Sequence, residues 1–372
     1  MSKNEYSIIK DFLDKDNSLF DTLTITIGLV GIKDNSDNPS QKYKVSKIEA
    51  STEGNNEKFL KIRKFIEALN DEVSNELNTG FKKSDKNSGW SVFFLIKECI
   101  QILSRDDFHF NYYRGQRKGE WETIPSAFRD YMNIRGDIYH DKFEDIYKEI
   151  HRKFPEKIRY IEFPQMELSD ECSTIMYDRG QQLALLQHYE LYTPLLDITS
   201  NPFVALLFMI NGELDNPKLE FYDISDTKLF MEPEKTKLNN RILAQKGAFL
   251  NFEMLLSKVG KNTSLIDELK KENNKMQIPR VALEIKYLEE DTKAESDKET
   301  IMNKNLEKNE DAKQLVDSTK NLDIEGDRKN VFQDVQKKLR TKLAEFKYFE
   351  DDLFPDFEDF LKNRKKLFKK PE

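Results

Sequence analysis

Short alternating, β-branched or aromatic runs recur along this chain. They are separated by stretches in which apolar residues fall three and four apart. Leu23-Thr24-Ile25-Thr26-Ile27-Gly28-Leu29-Val30 alternates and reads as a strand. Phe108-His109-Phe110-Asn111-Tyr112-Tyr113 reads as an aromatic strand running into Arg114-Gly115-Gln116. Pro194 to Ser200 reads as a short buried strand and turn, and residues 219–223, 248–252 and 281–287 as further strands. Helical spacing governs Phe59, Ile62, Phe65, Ile66 and Leu69, and again residues 90–103, 137–160, 173–189 and 331–346. Asn201-Pro202 opens another helix through Met209, with proline in the first turn, where a missing N–H costs nothing. The expected fold class is α+β: a mixed, mainly antiparallel sheet core flanked by helices, with a small N-terminal α/β region.

Composition decides whether such a chain can bury a core. Apolar residues are only 38% and charged residues 34% of the 372, yet 26 Phe and 14 Tyr are far more large rings than a disordered chain carries. The deficit is therefore local. It falls in residues 289–330, where Glu, Asp, Lys and Asn dominate and a solvated helix or a mobile insertion is expected. Residues 35–41 read as a polar turn, 82–88 as a linker and 363–372 as a basic tail. Three parts follow: residues 1–88 with elements of their own, a main domain over 89–362 that contains the charged insertion, and the tail.

Several classes are excluded at this level. No run of 18 apolar residues is present, so no membrane span is expected. The first residues soon reach Asp11, Asp14, Lys15 and Asp16, which breaks the apolar stretch a signal peptide needs. Cys99 and Cys172 are too few and too far apart for a disulfide scaffold or a cysteine zinc site, so a reducing cytoplasm is the expected compartment. The net charge of −8 argues weakly against indiscriminate nucleic-acid binding. Asp351, Asp352 and Asp356 cluster beside Pro355, which reads better as helix capping than as a metal site, and no metal is expected.

Three segments carry possible chemistry. In Tyr112-Tyr113-Arg114-Gly115-Gln116 a guanidinium is held at a strand edge beside a glycine. That arrangement suits phosphate or carboxylate, or else a buried arginine tied to backbone carbonyls or an acid. Gln187-His188-Tyr189 is followed by Thr193, Asp197, Thr199 and Ser200 inside an apolar frame, so those polar groups need partners. Asp197 would orient His188, pair with Arg114 or cap a turn. Arg241 to Phe249 places Gln245 and Gly247 at a strand start, as a pocket wall or an exposed hairpin lead-in.

Four ordered blocks resemble the FRG domain. Tyr113-Arg114-Gly115-Gln116 with Ile124 to Arg129 is similar to its opening, and Gln187-His188-Tyr189 through Phe208 to its central block. Arg241, Gln245, Gly247 and Phe249 resemble the next block, and Leu353-Phe354-Pro355-Asp356 the C-terminal signature. The resemblance spans about residues 90–362. Glu190 stands where the family usually has Gly, Tyr192 where it has Pro, Pro194 where it has Arg and Ile198 where it has an aromatic residue. The missing Arg removes one cation from the expected pocket.

The order of these blocks is also similar to ADP-ribosyltransferase-like enzymes. Those carry an aromatic-Arg-Gly strand, a Ser/Thr-Ser strand entering a helix, and a third strand with a catalytic acid. That resemblance implies NAD as substrate. Arg114, His188, Ser200 and Gln245 would be the catalytic group, and Tyr113, Gly115, Gln116, Tyr189, Asp197 and Thr199 the cofactor-binding group. Gln245 is an amide at the acid position, so Glu253 or Glu220 would have to supply the charge that an oxocarbenium-like sugar needs. The family resemblance further implies a bacterial toxin or phage-defence setting. The competing expectation is a non-catalytic module that recognises a small nucleotide or a partner, with residues 1–88 joining it to a protein. Nucleic-acid processing ranks last.

Overall fold

A computed structural model of the chain describes residues 5–15, 19–32, 42–52, 56–78, 91–129, 139–164, 169–234, 240–260, 263–271, 276–289 and 310–353. The expected turn at 35–41, the linker at 82–88, Phe354 to Asp356 and the tail lie outside these residues, as do residues 290–309 of the charged stretch.

The strands are β1 (Phe20–Gly31), β2 (Tyr43–Thr52), β3 (Phe110–Gln116), β4 (Leu195–Thr199), β5 (Lys218–Asp223), β6 (Phe230–Met231), β7 (Gly247–Asn251), β8 (Lys258–Gly260), β9 (Thr263–Ser264) and β10 (Ile278–Tyr287). Eight of them form one sheet in the order β2-β1-β10-β5-β3-β4-β7-β6, and β8 and β9 pair separately. Among the described strands only β1 and β10 run parallel, so the fold is α+β with a mixed, mostly antiparallel sheet. The helices are α1 (Glu5–Lys15), α2 (Glu57–Asn78), α3 (Val92–Leu103), α4 (Tyr139–Lys153), α5 (Asp170–His188), α6 (Pro202–Met209), α7 (Asn240–Ala244), α8 (Leu265–Leu269) and α9 (Glu310–Glu345). None of the described helices is long and apolar enough to cross a membrane.

Two apolar clusters hold the layers together. One packs α2, α3, α6 and α9 around Leu23, Ile25, Ile27, Phe221 and Leu283 of the sheet. The other packs α1, α4, α5 and α8 around Leu196, Ile198, Tyr222 and Leu250. The first 52 residues add β1 and β2 to the same sheet that holds β3 to β7.

Local chemistry explains most boundaries. Ser169 caps α5 by accepting from Cys172 N, and Asn201 caps α6 by accepting from Phe203 N and Val204 N ahead of Pro202. The strand expected from Phe108 begins instead at Phe110, because His109 turns the chain with φ 62. It continues through Arg114-Gly115-Gln116, so the guanidinium sits within the strand. β2 lacks a clean alternation because the register shifts opposite it between Gly28 and Leu29. Its buried residues are Tyr43, Val45 and Ile48, and a bulge breaks their period of two. Residues 310–330 of the charged stretch are helical and continue into the predicted helix over 331–346, where Val331, Val335, Leu339 and Leu343 are buried.

Candidate functional site

The sheet opens at its centre. β3 and β4 pair only at Tyr113 opposite Thr199, whereas β4 runs beside β7 from Leu195 to Thr199. Where β3 and β4 part, a cleft of about 350 Å³ is lined by Tyr113, Arg114 and Gly115 of β3 and Asp197 and Thr199 of β4. His188 at the end of α5 and Gln245 after α7 complete its walls. That volume lies near the lower end of the range for small-ligand sites. A larger groove of about 930 Å³ beside β6 holds none of the sequence-predicted site residues.

Arg114 spans the gap between the strands. Its Nη1 donates to the Asp197 carbonyl at 2.7 Å and lies 4.0 Å from Asp197 Oδ2. The arginine side chain is 14% exposed, and its Nε is buried with no hydrogen-bond partner among the described residues. The backbone-carbonyl alternative is therefore met in part, but beside an open cleft. Gly115 has a different task from the one its position suggests. A Cβ there would stand 1.9 Å from Ala205 O and 2.7 Å from Met209 N, so what approaches its backbone is α6.

The Asp197 carboxylate is 65% exposed at the cleft mouth. Gln187 Nε2 donates to its Oδ1 at 2.5 Å, and Gln187 Oε1 accepts in turn from the Thr193 hydroxyl. Thr193 is fully buried; its Oγ1 also accepts from Leu195 N, and its own N–H donates to Ser126 Oγ. Thr199 Oγ1 donates to the Gln245 carbonyl at 2.7 Å and accepts from Asn201 N. The Gln245 side chain donates to the Leu353 carbonyl at 2.9 Å, which ties this wall to the C-terminal signature.

Three predicted residues fall elsewhere. Ser200 faces a separate cavity with Tyr112 and Lys246. Tyr189 caps α5 and is 60% exposed, edge-on to His188. Gln116 is buried, with neither amide atom hydrogen-bonded among the described residues. Arg241 lines the cleft and restores a cation there although Pro194 supplies none. Glu190, at the usual glycine position, adopts φ 65, so the left-handed turn is kept with a side chain that tolerates it less well.

The substitute acids lie outside the cleft. Glu220 is fully buried and accepts from Thr123 and Tyr222, with Arg280 at 3.2 Å and Lys218 at 3.5 Å. Burial pushes its carboxyl up, but the two cations and two hydroxyls outweigh that and hold it below the usual carboxylate range. Burial first, and then the Glu220 charge beside it, push the Tyr222 phenol well up. Glu253 is held by Arg179 through Nε at 2.8 Å and Nη2 at 2.7 Å. Among the described residues no group of three or more His, Cys, Asp or Glu is placed to hold a metal ion.

What sequence reasoning missed is the support beneath Asp197. Gln187 and Thr193 stand out in the sequence as polar residues in an apolar frame, but nothing there says that each holds the next.

Comparison with known proteins adds one finding. The chain matches no curated protein and no solved structure. A family model matches residues 110–218, from the first residue of β3 to the first of β5, and so takes in Arg114, His188, Asp197 and Thr199 but not Gln245. That model is the FRG domain, so the match over residues 110–218 supports the resemblance to that family.

Proposed function

We propose that the chain is a recognition module that binds a nucleotide, NAD or a relative of it, in the cleft beside Arg114. One observation carries this reading. Among the described contacts Arg114 spends only Nη1 on a hydrogen bond, and that bond holds the guanidinium at the wall of an open cleft. A planar donor fork so placed suits a phosphate. Arg241 adds a second cation to the same cleft, and Tyr192 an aromatic face.

Glycosyl transfer from NAD is the second reading, and the order of the blocks favours it. It requires a carboxylate against the departing sugar. Glu220 and Glu253 are committed to buried ion pairs, and the Gln245 amide is tied to Leu353. Asp197 is the acid that remains at the cleft, together with Glu190. A toxin or phage-defence setting belongs to this reading through the family resemblance alone.

Titration calorimetry with NAD and ADP-ribose tests the first reading. Saturable binding is expected, weakened about tenfold or more by Arg114→Ala, the worth of one charge-assisted hydrogen bond. A wild-type protein that binds neither compound ends the proposal. Release of nicotinamide by the wild type, lost in Asp197→Asn, would move the assignment to the enzyme.

A further inference from the structure

We infer that the cleft selects a ribose as well as an anion, with the Asp197 carboxylate accepting the 2′- and 3′-hydroxyls of the bound sugar; this rests on the nucleotide-binding reading. A carboxylate beside an arginine in an anion site is at first sight a defect, because it repels the anion. Its geometry says otherwise. The pair is not closed: Arg114 Nη1 stands 4.0 Å from Asp197 Oδ2, too far for a hydrogen bond. Arg114 donates instead to the backbone carbonyl of the same residue. An exposed, open pair of this kind contributes little to stability.

The carboxylate is nonetheless held in place. Gln187 fixes Oδ1, the buried Thr193 hydroxyl fixes the Gln187 amide, and the Leu195 and Ser126 contacts fix Thr193. A chain of three side chains that ends in a buried residue orients one solvent-facing oxygen, Oδ2. Among the described contacts Oδ2 accepts no hydrogen bond. Ordering those side chains costs entropy, and a free surface acid has no need of it.

An ionised carboxylate only accepts and a guanidinium only donates. The ligand that satisfies both must carry hydrogen-bond donors a few ångströms from an anionic group. A ribose phosphate has that pattern. Inorganic phosphate and pyrophosphate carry at most a P–OH on the anionic group itself and no donors set apart from it, and a polyanionic strand meets repulsion from Asp197 and from Glu190 at the same cleft. Asp197 is thus the specificity-determining residue, and Gln187 and Thr193 are positioning residues.

The test compares ADP with 2′,3′-dideoxy-ADP by titration calorimetry on the full chain, in the wild type, Asp197→Asn and Gln187→Met. The wild type is expected to prefer ADP by about tenfold or more, the worth of charge-assisted hydrogen bonds to the diol. Asp197→Asn should bring that ratio close to one. Gln187→Met should lower the ratio without abolishing dideoxy-ADP binding, which a general loss of structure would not do. Equal wild-type affinity for the two probes overturns the inference and leaves nucleotide binding standing. If neither probe binds, the inference falls together with the reading beneath it.

Discussion

Arg179 and Arg114 are the same side chain in two opposite situations. Arg179 has no exposure at all. Its guanidinium is shared between Glu253, Glu144 and the Ile161 carbonyl, and it lies over the Tyr147 ring. Nε, Nη1 and Nη2 all donate to the protein. Among the described residues Arg114 makes one hydrogen bond and leaves Nε without a partner, and it borders a cleft. Burying a charge is tolerable only when the protein completes its hydrogen bonds. A guanidinium that the fold completes is a structural joint, here between α4, α5 and the segment after β7. One that the fold leaves incomplete, beside open space, is what the proposed recognition of a phosphate requires.

The sharpest way to break this contrast is to remove both guanidiniums. Arg179→Met leaves the Glu253 charge buried and unpaired, which should cost about 3–5 kcal/mol in denaturant unfolding. Arg114→Met should cost only about 1 kcal/mol, the worth of one hydrogen bond. If the two variants unfold alike, Arg114 is a joint too and the site assignment fails. Next in size is Gly115→Ala. The added methyl runs into the backbone of α6, and overpacking of that kind should lower stability by about 1–3 kcal/mol, read from the denaturation midpoint.

Acid titration addresses Glu220, the carboxylate that the fold does complete. Its folded value is held below the ordinary one by Arg280 and Lys218 against the cost of burial. Its contribution is therefore present above the usual carboxylate range of about 4 and is lost as pH falls through the depressed folded value. Thermal melts across that range should show a shallower acid limb in Glu220→Gln than in the wild type. An unchanged slope would mean that the cluster does not hold the charged form. The smallest effect concerns Gln116. With both amide atoms buried and unpartnered, Gln116→Leu should be neutral or stabilising by about 1 kcal/mol. A clear loss of stability instead would reveal a partner for the amide, such as a buried water.

Much of the scaffold was legible along the chain. The strands at Leu23, Leu195, Leu219, Ala248 and Val281 announce themselves by short runs of β-branched and apolar residues, and α6 by Asn201-Pro202. β2 and α1 did not, for physical reasons. β2 is an edge strand with one solvated face and a bulge in its register, so its buried set loses the period of two. In α1 the stripe of Ile9, Phe12 and Leu13 is short and interleaved with Lys10, Asp11 and Asp14. Residue types also identified Arg114, Asp197 and Gln245 as candidates. They could not show that Glu253 points at Arg179, or that the Gln245 amide reaches Leu353, because both partners are remote in the chain.

The division of labour follows from range. Spacing, capping residues and local composition determined where most helices and strands begin and end, and which polar residues would need partners. These depend on neighbours a few positions away. Whether a given charge is finished by the fold or left open depends on segments that meet only when the sheet assembles. The parting of β3 from β4, the closure of Arg179 by two distant glutamates and the chain of contacts from Thr193 to Asp197 were therefore decided by the tertiary structure alone.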